Sequence, residues 1–336
     1  MTTVPSLTQP PSQPYSAIDI SNLDFDFGGP RILSNINLHL PKGSRTLLVG
    51  ANGAGKSTLL RLLAGKNLTR GDVRVLGKCA FTDGSVGVTY LGTEWAHNPI
   101  VRRDVPVSRL LRSLGAQRHQ SRCAELLDIL DVDPNWHMHQ VSDGQRRRVQ
   151  IVLGLLEPWD VLLLDEVTVD LDVLVRTDLL NFLKRETLQR NATILYATHI
   201  FDGLGGWPTH VAHVVGGEID LVRDVLQGFP ELDEAIRDRQ AAAAVATATA
   251  TATAAAAAAR EAGSDGNASV DTPAEALVYN SPLLLVVEKW LREDSKKLAK
   301  TGKLNADGQV MTRWDVLSEN MKEYGDKYYN YWRTDE

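Results

Sequence analysis

The chain has 336 residues, 43% of them hydrophobic and 23% charged, with a formal net charge of −6. That length suffices for one large domain with additions, and the acidic balance gives no electrostatic basis for tight, non-specific nucleic-acid binding. The two cysteines, Cys79 and Cys123, stand at no metal-ligand spacing, which suits a reducing compartment and argues against a disulfide scaffold.

The opening "MTTVPSLTQPPSQPYS" has no basic n-region and no apolar h-region, so residues 1–16 are expected to be a disordered arm and not a signal peptide. From 17 to 236, apolar runs alternate with helix-period stretches, which predicts an α/β domain with a buried sheet. Within it a strand from Thr46 to Val49 runs into Gly50-Ala51-Asn52-Gly53-Ala54-Gly55-Lys56-Ser57-Thr58, and a helix follows at once. Glycines let backbone N–H groups turn around phosphate oxygens, and the helix N-terminus adds its dipole. Lys56 can then reach the β- and γ-phosphates, and Ser57 suits Mg²⁺.

Further along, "HMH" at 137–139 offers two imidazoles but lacks further ligands, so no metal is assigned there. The "RRR" at 146–148 is expected on a solvated helix face. "WDVLLLDEVTVDLD" predicts a buried strand, Val161 to Leu164, ending in two acids. Asp165 can hold Mg²⁺ through water, and Glu166 can polarise an attacking water. "NATILYATHIFDG" predicts another strand, ending at His199, which can hydrogen-bond a γ-phosphate.

The Ala/Thr tract at 237–277 has no apolar stripe to bury and reads as a low-complexity linker. Residues 278–336 are expected to form a helical extension that docks on the domain. Ser281 would cap its helix, with Pro282 at the first position. Three of the seven tryptophans, Trp290, Trp314 and Trp332, fall in it. Trp290 and Trp314 are the expected inward anchors, leaving part of the Tyr328, Tyr329, Tyr331 and Trp332 cluster for a partner. The longest apolar runs, such as "PLLLVV", fall short of the about 20 residues needed to span a membrane, so a soluble chain is expected.

Lys56, Ser142, Asp165, Glu166 and His199 occur in the order of an ATP-binding cassette, with Gln145 twenty residues before Asp165 and His199 thirty-three after Glu166. From about 18 to 225 the chain resembles an ABC-type nucleotide-binding domain. The resemblance implies a P-loop NTPase core of mostly parallel strands, an antiparallel β-subdomain, and a helical subdomain between about Glu94 and Gln140. It implies ATP and Mg²⁺ as cofactors, with Gly50 to Thr58 around the phosphates and Ser57 and Asp165 on the metal. Lys56, Glu166 and His199 take the catalytic roles. Phe27 matches the aromatic that stacks on adenine, although Phe25 is also available.

In "VSDGQ", Ser142, Gly144 and Gln145 fall on the serine, second glycine and glutamine of the LSGGQ signature. Asp143 replaces the first glycine, and its carboxylate is expected to turn away from the triphosphate. Asp172 matches the last acid of the loop after the second motif. Family members close two cassettes head to tail, which implies an ATP-hydrolysing homodimer.

One feature departs from the family. The glutamine that contacts Mg²⁺ and signals to a transmembrane partner should fall at Thr93 or Glu94, and no glutamine lies between Val88 and Val107. Glu94 could still reach Mg²⁺. "YLGTEW", "VSDGQRRRVQ" and the Trp-containing tail together resemble a smaller group of fungal soluble ABC proteins associated with the carbon-catabolite-repression/Not deadenylase complex, with plant non-intrinsic ABC relatives. This implies regulation of transcription or mRNA turnover through a protein complex, in the cytoplasm or nucleus, with no transport and no direct nucleic-acid contact. Two other readings stay open: the ATPase subunit of a transporter with separately encoded membrane subunits, and an ATP-gated scaffold with little turnover.

Overall fold

The computed structural model describes residues 16–29, 31–69, 71–83, 86–92, 103–201, 203–241, 243–244 and 281–301, with side chains to 297 in the last stretch. Two sheets organise the chain. The first is antiparallel: β1 (Ser16–Phe25) pairs with β2 (Leu33–Pro41) and β4 (Asp72–Val75), and β4 pairs with β5 (Lys78–Cys79). In β2 the buried residues Ile36, Leu38 and Leu40 alternate with exposed ones, the period-2 pattern of a sheet covered on one face.

The second sheet has six strands, ordered β10-β9-β3-β8-β7-β6. Its members are β3 (Arg45–Val49), β6 (Val88–Leu91), β7 (Val161–Asp165), β8 (Thr193–Ala197), β9 (His210–Val215) and β10 (Glu218–Asp224). All pairings are parallel except the β9–β10 hairpin. Every residue of β3, β7 and β8 is buried, as expected for parallel strands covered on both faces.

Helix α1 (Lys56–Leu63) follows β3 directly and buries Leu59, Leu60, Leu62 and Leu63. Helices α2 (Val107–Ser113) and α3 (Gln120–Ile129) form the expected helical region ahead of α4 (Asp143–Leu156). Helix α5 (Val173–Arg190) ends on Asn191 in the left-handed conformation, a common helix stop. Helix α6 runs from 230 through 241, past the expected domain boundary at 236. Arginine, glutamine and alanine all favour helix, so Arg237, Arg239, Gln240 and Ala241 carry the helix on.

The last described element is α7 (Pro282–Thr301). Leu283, Val286, Val287 and Trp290 recur at helical spacing and are buried in the same core cluster as the parallel sheet. Trp290 stacks on His213 of β9 and on Phe229, with ring centroids 5.3 and 6.1 Å away. One turn on, Asp294 meets His213 Nε2 at 2.8 Å, and both side chains are buried. Ser281 stands just before α7, but its buried hydroxyl makes no hydrogen bond and packs against Gly205 instead. The expected cap is therefore not made. Trp314, Trp332 and the tyrosine cluster lie outside the described residues, as do Thr93 and Glu94. Among the described residues, no helix is long and apolar enough to cross a membrane.

Candidate functional site

Strand register brings the site together. Leu48 of β3 is level with Ala197 of β8, and Ala197 is level with Asp165 of β7. Gly50, Glu166 and His199 follow within one or two residues, so all of them leave the sheet at its carboxyl edge. In open α/β sheets that edge is where ligands bind.

Backbone constraints shape the loop between β3 and α1. Gly50 passes so close to Val214 that a Cβ would lie 2.3 Å from its carbonyl oxygen. Gly55 has φ +102°, and a Cβ there would strike Leu33. Lys56 is largely buried, and its ammonium donates to the carbonyls of Gly50 (2.7 Å) and Ala51 (3.0 Å). Burial lowers its pKa, while Glu166 and Asp165 act to raise it.

Ser57 Oγ donates to Asp165 Oδ1 at 3.0 Å, and the Tyr90 hydroxyl donates to Asp165 Oδ2 at 3.3 Å. Adjacent oxygens of an octahedral Mg²⁺ at about 2.1 Å lie about 3.0 Å apart, so the Ser57–Asp165 spacing fits two such ligands. Sequence reasoning missed Tyr90; its place on β6, three residues before Thr93 at the expected Q-loop position, is the signal that could have found it.

Glu166 sits in the left-handed region at φ +52°, a strained conformation for a non-glycine residue that clusters at functional sites. Its amide donates to Ala197 O, and its Oε2 accepts weakly from the His199 amide at 3.4 Å. Oε1 is buried without a hydrogen bond, facing His199 Nε2 at 3.1 Å but out of alignment. A buried acceptor left open costs about 1–3 kcal/mol, and this one points to a place for a water. Burial raises the Glu166 pKa, opposed by the His199 amide and by Lys56. Burial, followed by Lys56, lowers that of His199.

Phe25 and Phe27 are separated by their surroundings. Phe25 is 6% exposed in the core, whereas Phe27 is 63% exposed, edge-on to it at 4.9 Å. Of the two rings, Phe27 is the one open to solvent.

The signature segment lies apart from these groups. Ser142 caps α4, accepting from the Gln145 amide at 3.2 Å, while Gln145 Oε1 accepts from the Ser142 amide at 2.9 Å. This reciprocal capping box occupies both side chains, and among the described residues neither reaches the phosphate loop. A Cβ on Gly144 would meet only the Asp170 carbonyl, at an ordinary 3.5 Å. Asp143 is exposed and pairs with Arg146. Asp172 caps α5 through the Val175 amide (3.0 Å) and pairs with Arg148 at 2.8 Å.

The arginine run does not lie on a solvated face, contrary to expectation. Arg146 and Arg147 are buried. Arg146 donates to the carbonyl of Val141, and Arg147 to that of Gly92. Gln150 donates to the same Gly92 oxygen at 2.8 Å. Guanidinium groups tolerate burial when their fixed donors meet carbonyls.

A family model described as ABC transporter matches residues 33–169. CCR4-associated factor 16 of Saccharomyces cerevisiae is 49% identical over 233 residues, covering 62% of this chain and 80% of the yeast protein. The chain belongs to the ABC family of ATP-binding cassettes. Two Arabidopsis thaliana relatives support the same placement. ABC transporter I family member 21 is 49% identical over 61% of this chain and 77% of its own length. Member 20 is 43% identical over 64% and 72%. Among solved structures, the ATP-binding subunit of an ABC transporter superposes with a TM-score of 0.56 at 20% identity, covering 63% of this chain and 91% of that one. A cassette solved as a dimer with ADP and Pi gives 0.53, also at 20% identity, covering 63% and 100%. These two show that the fold is that of an ABC cassette.

Proposed function

We propose that this cassette binds Mg·ATP, closes head to tail with a second copy of itself, hydrolyses the ATP, and uses that cycle to regulate a transcription or mRNA-turnover complex. The observation that carries the chemistry is the Glu166 carboxylate, held at φ +52° with a buried Oε1 that accepts no hydrogen bond and lies 3.1 Å from His199 Nε2, at the sheet edge that also carries Lys56 and the Ser57–Asp165 pair. Mg²⁺ would be held by Ser57 and Asp165, where it would neutralise charge on the phosphates. Lys56 would exchange its loop carbonyls for the β- and γ-phosphates. Glu166 would orient and deprotonate the attacking water, and His199 would hold the γ-phosphate beside it. Phe27 would stack on adenine, and Gly50 to Thr58 would line the phosphates with their amides.

Support for the dimer comes from the signature. Ser142, Gly144 and Gln145 are exposed or half-exposed at a helix N-terminus, a natural anion site. Among the described residues that end is met only by its own capping box, and a Cβ at 144 would find room. A partner's triphosphate would supply the ligand, with Asp172 beside the interface. The regulatory part rests on the yeast relative's name, and the cytoplasmic or nuclear setting suits the two free cysteines.

Lys56→Ala is expected to weaken ATP binding by about 10- to 100-fold, the worth of a lost charge-assisted contact. A nucleotide titration that matches wild type would remove Lys56 from the site. Affinity capture of the full chain with ATP, read by mass spectrometry, tests the client. Deadenylase-complex subunits are expected, and co-purifying transmembrane subunits would favour a transporter ATPase instead.

A further inference from the structure

Three ligating side chains converge away from the phosphate site. Met138 is fully buried at the start of a turn that Gln140 N–H closes on His137 O at 2.9 Å, while His137 and His139 on either side stay partly exposed with their rings edge-on, centroids 5.9 Å apart. This segment is fastened to residues 104–107. The Val107 amide donates to Trp136 O (2.8 Å), the Met138 amide donates to Val105 O (3.0 Å), and Pro106 and His137 form an isolated antiparallel bridge. Asp104, at the end of that bridge, places Oδ1 2.5 Å from His137 Nδ1 and 3.2 Å from His139 Nδ1. One ligand atom from each of the three residues lies within 4.8 Å of the others. The third ligand missing from the sequence around "HMH" is therefore supplied across the chain by Asp104.

We propose that Asp104, His137 and His139 bind one Zn²⁺, with the fourth position left to water. Two imidazoles and a carboxylate are a frequent zinc donor set. Donors about 2.0–2.1 Å from a tetrahedral zinc lie roughly 3.3–3.4 Å apart. The His139–Asp104 spacing, 3.2 Å, falls just short of that value. The His137–Asp104 contact is a hydrogen bond, and it must lengthen by roughly 0.8 Å to admit the ion. The side chains have room for this, because Asp104 is 69% exposed and the two imidazoles about 40%. The site adjoins the signature. Arg146 donates to Val141 O and at longer range to Met138 O, so an ion that fixes 137–139 also fixes the entry to α4.

Co²⁺, which reports its geometry in visible absorption, is the probe, titrated into the full chain in excess Mg²⁺ and then displaced with Zn²⁺. One equivalent should bind with the absorption of a tetrahedral site. The double variant His137→Gln/His139→Gln should lose that signal and weaken binding at least 10-fold. Asp104→Asn should weaken it while leaving the backbone bridge intact. Unchanged ATP binding confirms that each variant is folded. Zn²⁺ should also raise the thermal midpoint of wild type and leave that of the double variant unmoved. Absence of the tetrahedral signal, or its survival in the double variant, would overturn the proposal and leave the trio as an ion pair.

Discussion

Replacing Glu166 with Gln is expected to lower ATP turnover by about 10²–10⁴-fold, the range over which a positioned general base contributes. The substitution keeps the size of the side chain and leaves Ser57, Asp165 and Lys56 in place, so ATP affinity should hold. The pH profile offers an independent check. Burial raises the pKa of Glu166, and only the ionised carboxylate can accept a proton. Wild-type turnover should therefore be full above that raised pKa and fall as the pH drops through it, with an acid limb above the ordinary carboxylate range. The Gln variant should lose that limb. Turnover within 10-fold of wild type would place the base elsewhere.

Trp290→Ala is expected to cost about 3–5 kcal/mol at the contact between α7 and the cassette, the usual range for truncating a buried tryptophan. The indole is stacked between His213 and Phe229 and is 6% exposed. Its loss also opens the buried His213–Asp294 pair to water. Because α7 holds on mainly through Leu283, Val286, Val287 and Trp290, a loss of that size should release the helix and not unfold the sheet. Amide exchange across 282–297 should rise towards that of free peptide while β3, β7 and β8 stay protected. Unchanged protection of α7 would mean that the stack does not anchor it.

What was legible in the sequence was local. The strands before the phosphate loop and before Asp165 are short apolar runs with turn or acidic residues at their ends, and both occur as expected. The phosphate loop is one continuous segment, so its chemistry could be read without knowing the fold. What was missed depends on contacts between distant segments. Arg146 and Arg147 are buried because carbonyls of Val141 and Gly92 receive them, and no charge pattern announces a carbonyl. Asp104 lies thirty-three residues before His137, and Asp294 eighty-one after His213. Trp290 could be picked out as an anchor from its aromatic bulk, but its stacking partner His213 and the neighbouring Asp294 could not. Tyr90 reaches Asp165 only because β6 lies beside β7 in register.

In the proposed dimer two chains share each ATP, with Ser142 of one completing the site built on Lys56 of the other. Sedimentation velocity of the Glu166→Gln chain, with and without saturating Mg·ATP, reads this sharing as a change of mass. A monomer is expected without nucleotide and a dimer with it. Adding Ser142→Arg should restore the monomer while ATP remains bound, since loss of the cap itself costs only about 0.5–2 kcal/mol. A Glu166→Gln chain that binds ATP and stays monomeric would contradict it, as would a dimer indifferent to Ser142→Arg.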